Sequence, residues 1–308
     1  MEPRAMIVIP HYGPRHHLDR CLQALAHCNE VESVTICVVH SGPDPIETAL
    51  GPDGLDIISV DSPERLLAGA ARNRGVAERP QSDIFIFIDA DCIPSVHWIS
   101  GHLQAHDDGA ELVTGPVLPG PPEAPSGFAE YLIEFAICRK PPIYGPMMSA
   151  PACNFSVRRE VFEDLGGFPN HPAGQDLLFN LRCRRKGYDL IFAHAACLYH
   201  SCRNTTDAFL KNRRKIGRGL GEITYQAEEE GLLSSSANSE YRFLRVISRS
   251  PFGILLLPAK LFRLGVLILR GDFLVLKYIL RCPMDLIRGL LVEGAACRRG
   301  YLEGRLDP

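Results

Sequence analysis

Short apolar runs alternate with amphipathic segments over the first ninety residues. Residues 6–9 (MIVI) form a strand candidate that Pro10 should end. Leu18, Cys21, Leu22 and Leu25 recur at helical spacing and predict a helix with one apolar face. Residues 34–39 (VTICVV) and 57–60 are apolar and mostly β-branched, so each reads as a buried strand. A helical stretch over residues 66–77 leads into Ile84-Phe85-Ile86-Phe87-Ile88, the most strand-like segment of the chain. Strands alternating with helices predict a parallel α/β sheet, and strands without polar alternation predict one covered on both faces.

The middle of the chain is less regular. Residues 116–127 (PVLPGPPEAPSG) hold five prolines and read as a loop, and Pro141, Pro142, Pro146 and Pro151 delimit another irregular stretch. Residues 160–165 and 177–186 read as short helices, the second closed by Gly187 as a C-cap. Residues 191–199 read as the last strand. Beyond residue 205 come a basic run at 211–218 (KNRRKIGR), a Ser-rich linker at 234–239, and an apolar tail over 252–292. The division expected is therefore a catalytic domain over 1–205 and a helical region over 206–308.

The tail is no simple membrane span, since its longest uncharged run, 250–259, is ten residues long, against the eighteen or so required. Arg263, Arg270, Lys277, Arg281 and Arg288 would share one helical face opposite leucine, isoleucine, valine and phenylalanine, the pattern of a helix lying in a membrane interface. A helix packed on the catalytic domain, or a seam between two copies in a homodimer, would look the same. Pro258 and Pro283 should divide the tail into two or three helices.

Composition narrows the class. The chain has 308 residues, 46% hydrophobic and 22% charged, with a formal net charge of −3. That is globular and argues against a nucleic-acid partner. Eleven cysteines without regular spacing, and no signal peptide, predict reduced thiols in the cytoplasm. His194, Cys197, His200 and Cys202 are the nearest approach to a zinc cluster, but their spacing fits no structural zinc pattern.

The chemistry concentrates after the strongest strand, in Asp89-Ala90-Asp91. Two carboxylates at the end of a buried strand sit where α/β sheets bind ligands. Their mutual repulsion calls for a cation, and hard oxygen donors suit Mg²⁺ or Mn²⁺ bridging to a diphosphate. Alone, the pair would also fit a helix cap and a solvated loop residue.

Its neighbours give it a setting. Val8-Ile9-Pro10, the turn Ala71-Arg72-Asn73-Arg74-Gly75, Asp89-Ala90-Asp91, Gly166-Gly167-Phe168, Gln175-Asp176 and His200 follow in an order that resembles family 2 glycosyltransferases. The resemblance spans roughly residues 6–200, and it implies a Rossmann-like GT-A fold that binds a nucleotide-diphosphate sugar. It implies that Pro10, His40, Arg72, Asn73, Asp89 and Ala90 line the donor site, and that Asp91 and His200 hold Mn²⁺ or Mg²⁺. Asn154, Gly166, Gly167, Phe168 and Gln175 would form the acceptor side. Asp176 would be the general base of an inverting displacement, although a helix N-cap before Leu177 would look alike. The tail also resembles those of membrane-associated members. The acceptor implied is a saccharide or a lipid-linked one, at the inner face of the cell membrane, where the chain would be peripheral.

Two positions depart from the family pattern. His40 replaces an aspartate that commonly reads the nucleotide base, with Asp44 out of register to substitute, so the donor base is open. Gln175 replaces an acidic residue and should leave Asp176 less basic. The run at 211–218 fits a donor diphosphate, lipid headgroups or a solvated helix face. Two rivals to this reading stand: a nucleotidyltransferase of similar sheet architecture, and a non-catalytic binding or assembly subunit.

Overall fold

The computed structural model describes residues 3–43, 52, 54–120, 124–141, 150–234, 242–250, 253, 255–269 and 271–306. Asp44, Pro142, Pro146, Arg270 and nearly all of the Ser-rich linker lie outside them. The described chain forms two compact units. The first holds residues 1–118, 140–170 and 186–200, and the second holds 119–139, 171–185 and 201–308.

The first unit is built on a seven-stranded sheet. Its strands are β1 (Ala5–His11), β2 (Val34–Ser41), β3 (Ile57–Ser62), β4 (Ile84–Ile88), β6 (Leu112–Thr114), β8 (Asn154–Arg158) and β9 (Leu190–Phe192), in the order β3-β2-β1-β4-β8-β6-β9. A three-stranded sheet pairs β5 (Cys92–Pro94), β10 (Leu198–His200) and β7 (Val117–Pro119) in the order β5-β10-β7. Every residue from Ala5 to Ile9 and from Ile84 to Ile88 is fully buried, as expected of strands covered on both faces. The sheet is mixed rather than wholly parallel, because β8 runs antiparallel to both β4 and β6. Pro10 does not end β1, which continues to His11 beside β2. The pairing with β4 stops at Val8, so the missing N–H of Pro10 falls beyond it.

Three helices flank the large sheet in sequence: α1 (Arg15–Leu25), α2 (Ala68–Val76) and α3 (Trp98–Asp107). Leu18, Cys21, Leu22 and Leu25 form the buried face of α1, as their spacing predicts. Gly75 lets α2 lie directly on the sheet, because a Cβ there would run into Val8 and Val39. The same close approach brings Arg72 to the strand ends. A short helix α5 (Arg159–Asp164) follows β8.

The second unit is helical. It contains α4 (Pro125–Glu134), nearly all of α6 (Gln175–Lys186), α7 (Thr206–Glu229), α8 (Arg242–Arg249), α9 (Leu256–Leu269), α10 (Phe273–Arg281) and α11 (Pro283–Leu306). Residues 116–127 are thus not one loop, since a strand and the start of α4 fall within them. Residues 191–199 are not one strand, since a turn separates β9 from β10. Gly187 does close α6, with φ +93°. Thr205 caps α7, its hydroxyl accepting from the Ala208 amide at 3.3 Å.

Helices α7 and α11 touch backbone to backbone. A Cβ at Gly217 would collide with the Glu293 carbonyl, one at Gly221 with that of Cys297, and one at Gly300 with that of Arg218. The basic stripe read along the tail does not lie on one helix: Arg263 is on α9, Lys277 and Arg281 on α10, and Arg288 on α11. Pro258 falls in the first turn of α9, where its absent N–H costs nothing, and Pro283 opens α11. No described helix is long and apolar enough to cross a membrane.

Candidate active site

Asp89 and Asp91 leave the C-terminal end of β4 with their side chains about one-third exposed. Arg72, only 2% exposed, donates from Nη2 to Asp89 Oδ1 at 2.5 Å. Its guanidinium also stands 5.6 Å from the centre of the Phe168 ring. The buried cation and the Asp89 carboxylate thus form an ion pair at the strand end. The Arg72 Nε and Nη1 donors are buried without a hydrogen-bond partner, a costly state that an anionic ligand at this edge would relieve.

His200 reaches the same place from β10. It lies opposite Cys92 in the β5–β10 register, and its Nε2 is 3.6 Å from Asp91 Oδ1. One ligand atom from each of Asp89, Asp91 and His200 falls within 4.8 Å of the others. Two carboxylates with one imidazole fit Mn²⁺ well, and Mg²⁺ less so because of the nitrogen donor. Cys92 and Cys153 form a second such group with His200. Burial, followed by the Cys92–Cys153 hydrogen bond, holds the Cys92 thiol well above its ordinary pKa, which favours the hard donors. Neither His194, Cys197 nor Cys202 joins a metal-like group among the described residues.

At the neighbouring strand ends, Pro10 is half-buried, and His11 and His40 face each other in register. Their Nδ1 atoms are 2.9 Å apart and their ring centroids 5.0 Å apart. One Nδ1 must donate and the other accept, which two imidazolium rings cannot do. Burial, then the charge of His40, lowers the His11 pKa. His11 escaped the sequence reading, because its meeting with His40 follows from the β1–β2 register. Tyr12, exposed beside it, lies under the Arg65 guanidinium at 4.2 Å.

The Gly166-Gly167-Phe168 turn is held by Asn73. The Asn73 amide donates to the Phe168 carbonyl at 2.8 Å, and its Oδ1 accepts from the Phe168 amide at 2.9 Å. Gly166 and Gly167 have φ of +70° and +80°, and a Cβ on Gly167 would sit 2.7 Å from Asn73 Oδ1. Only glycine suits both demands. Phe168 is buried against Phe87, Phe155 and Phe162. Asn154 is completely buried: Oδ1 accepts from Trp98 Nε1 at 2.8 Å and lies 3.1 Å from His102 Nε2, while Nδ2 donates to Ala196 O at 2.9 Å. Its polar atoms are engaged inside the unit. Ala90, also buried, spaces the two aspartates.

Gln175 and Asp176 belong to the second unit and open α6. Asp176 is the second residue of the helix rather than its N-cap, and its Oδ1 accepts from the Leu177 amide at 2.9 Å. A carboxylate in a first turn is stabilised by the helix dipole. Gln175 is buried, and its Oε1 has no hydrogen-bond partner.

The basic run at 211–218 is divided by the turn of α7. Arg213 is completely buried and pairs with Glu130, Glu134 and Glu293. Lys211, Arg214, Lys215 and Arg218 are exposed.

A protein from Haloferax volcanii, the glycosyltransferase AglE, is 29% identical over 230 residues, covering 72% of this chain and 74% of its own. The mannosyltransferase PcManGT from Pyrobaculum calidifontis, solved in complex with GDP-Man and Mn²⁺, shares the fold. Its TM-score is 0.62 at 15% identity, over 98% of this chain and 88% of that one. The profile of glycosyl transferase family 2 matches residues 6–166, more than half of the sequence. With the GT-A sheet and the carboxylate pair at its edge, that match excludes the nucleotidyltransferase rival, and the chain belongs to glycosyl transferase family 2.

Proposed function

We propose that this glycosyltransferase moves a sugar from a nucleotide-diphosphate sugar to an acceptor hydroxyl, inverting the anomeric centre. The observation that carries the reading is the convergence of Asp89, Asp91 and His200 beside a buried arginine with donors to spare. Asp91 and His200 hold Mn²⁺ or Mg²⁺, while Asp89 and Arg72 face the donor. Such an ion would neutralise the carboxylate pair and the charge gathering on the diphosphate. PcManGT, with the same fold, was solved with a sugar nucleotide and a divalent ion, in line with this assignment.

Asp176 is the general base. As the acceptor oxygen bonds to the anomeric carbon, its proton passes to the Asp176 carboxylate and the bond to the nucleoside diphosphate breaks, that group leaving with the electron pair. Pro10, Ala90 and the His11–His40 pair line the donor side, and the ring pair takes the base-reading place that His40 occupies. Gly166, Gly167, Phe168 and Gln175 shape the acceptor side, with Asn73 and Asn154 bracing it from within.

Residues 1–205 serve as the catalytic domain, and 206–308 as a helical region resting on the cytosolic face of the membrane. Phe262 and Leu269 on α9 and Phe273 and Leu280 on α10, each more than 70% exposed, are large apolar side chains that such an interface would cover. The acceptor is a saccharide or a lipid-linked one.

The test is a thermal-shift panel of UDP-, GDP-, CDP- and TDP-sugars with and without Mn²⁺. At least one sugar nucleotide should stabilise the protein only with the metal, and Asp91→Ala should abolish that shift. Stabilisation by none of them would sink the proposal.

A further inference from the structure

A cavity of about 720 Å³ opens within the second unit between α7 and α11. Its polar wall carries Arg214, Lys215 and Arg218 from α7 and Arg299 from α11, against the carboxylates of Glu222 and Glu303. Arg218 is bound to both carboxylates, its Nε 2.9 Å from each. Those two acids are therefore committed, whereas Arg214 and Arg299 form no ion pair among the described residues. Two exposed guanidiniums without a carboxylate partner, facing one cavity, favour a doubly charged anion with oxygens on several sides. Phosphate matches their planar forks better than a single carboxylate does.

The opposite wall is apolar. Val292, Ala295 and Ala296 of α11 supply it, with Pro172. The volume is typical of a site for a whole small molecule and far exceeds the needs of one phosphate. Moreover, the apolar wall continues along α11. Met284, Ile287 and Leu291 are 58%, 40% and 46% exposed, and with Ala295 they recur at helical spacing on one face. The strip runs about 16 Å along the helix axis at 1.5 Å per residue and ends in the cavity, with Arg288 beside it.

The cavity also adjoins the segment that carries the general base. Pro172 lies four residues before Asp176, and Gly219 lines the cavity while packing against Ala173, where a Cβ on Gly219 would be 2.6 Å from that of Ala173.

We infer that this cavity binds the phosphate or diphosphate group of an amphiphilic acceptor, with Arg214 and Arg299 on the phosphate and the acceptor's aliphatic chain along Met284, Ile287 and Leu291. The assignment rests on the glycosyltransferase reading above and adds the acceptor's class to it. Phosphate-bearing chemistry is also present in anionic membrane lipids, so the test must separate a soluble phosphate amphiphile from a bilayer surface.

The experiment measures binding of octyl phosphate, below its micellar concentration, by titration calorimetry, with octanol and inorganic phosphate as the two half-ligands. The wild-type chain should bind octyl phosphate at least tenfold more tightly than either. Arg214→Gln/Arg299→Gln should weaken that binding at least tenfold, while keeping the Mn²⁺-dependent thermal shift with a nucleotide sugar. Equal binding of octyl phosphate and inorganic phosphate, or equal binding by wild type and double variant, would overturn the inference. A parallel arm uses vesicles of phosphatidylcholine with and without 20% phosphatidylglycerol. If the double variant loses the anionic vesicles while octyl phosphate never binds, the arginines serve headgroups and the acceptor assignment fails. If octyl phosphate binds as expected but no nucleotide sugar stabilises the wild type, the donor reading fails instead, and the cavity stands only as a phosphate site.

Discussion

Arg213 offers the most direct test of how the helical unit is held together. Its guanidinium has no solvent exposure and is shared by Glu130, Glu134 and Glu293. Arg203 also pairs with Glu130, and Lys260 pairs with Glu293 at 2.5 Å. Three carboxylates are thus balanced by three cations, and Arg213→Met leaves one negative charge uncompensated. Glu130 would keep Arg203 and Glu293 would keep Lys260. Glu134 would lose its ion pair and retain only the Asn212 amide, at 3.3 Å. The two charge-assisted hydrogen bonds lost, to Glu134 and Glu293, are worth about 1.5–3 kcal/mol each. Breaking a buried pair from one side costs about 3–5 kcal/mol. Glu134 is 16% exposed, so water can reach the orphaned charge and the loss should fall near the lower figure, about 3 kcal/mol. In urea, read by helical circular dichroism, the midpoint should drop by about 1–2 M. Arg213→Met/Glu134→Gln removes the surplus charge and should recover at least about 1 kcal/mol of the loss. A shift under about 0.3 M for the single variant, or no recovery in the double, would show that these charges do not hold the unit.

Two further outcomes are expected. Burial, ahead of all other influences, lowers the pKa of His102 to about 3 and of His106 to about 4, from 6.5. Both rings are neutral in the fold but gain protons in the unfolded chain below pH 6.5, so their stabilisation is complete above that pH. It falls by about 2.7 kcal/mol per pH unit down to pH 4, then by half that rate to pH 3. Fluorescence of Trp98, the only tryptophan, whose ring lies 5.0 Å from that of His102, reads this in urea between pH 7.5 and 5; an unchanged slope in His102→Gln would refute the assignment. Gly221→Val should part α7 from α11, because even a Cβ there strikes the Cys297 carbonyl, at a cost of about 2–3 kcal/mol seen as a lower melting point by circular dichroism; full stability would mean that the contact is not tight.

The sequence was most legible where one local rule sufficed. Ile84–Ile88 has five consecutive apolar residues and became a strand with those limits, because a fully buried central strand needs no partner's sequence to be recognised. Leu18, Cys21, Leu22 and Leu25 carried the face of α1 for the same reason. Strands β5, β6, β7, β9 and β10 are three residues each, too short to show any period, and their partners are distant in sequence. Asn154–Arg158 was missed because two of its five residues, Asn154 and Ser156, are buried polar groups that meet Trp98, His102 and His106. The apolar pattern is broken there by hydrogen bonds that only the folded chain reveals. In the site, the carboxylate pair and the glycine turn were legible as motifs. The His11–His40 contact was not, because it depends on the β1–β2 register.

The basic run at 211–218 shows why charge in sequence does not specify charge in place. On α7, residues 213, 217 and 221 are four apart and share a face, so one arginine is carried inside with two glycines. Arg214 and Arg218 form the neighbouring row, also four apart. Because Gly217 and Gly221 have no side chains, α11 comes close enough for Val292, Ala295 and Ala296 to stand across from that row. Larger residues at 217 and 221 would move the apolar wall away from the cations and open the cavity to water. The close helix contact and the cavity beside it are therefore products of a single spacing. A substitution that weakens the first should also weaken octyl phosphate binding, even with every arginine in place.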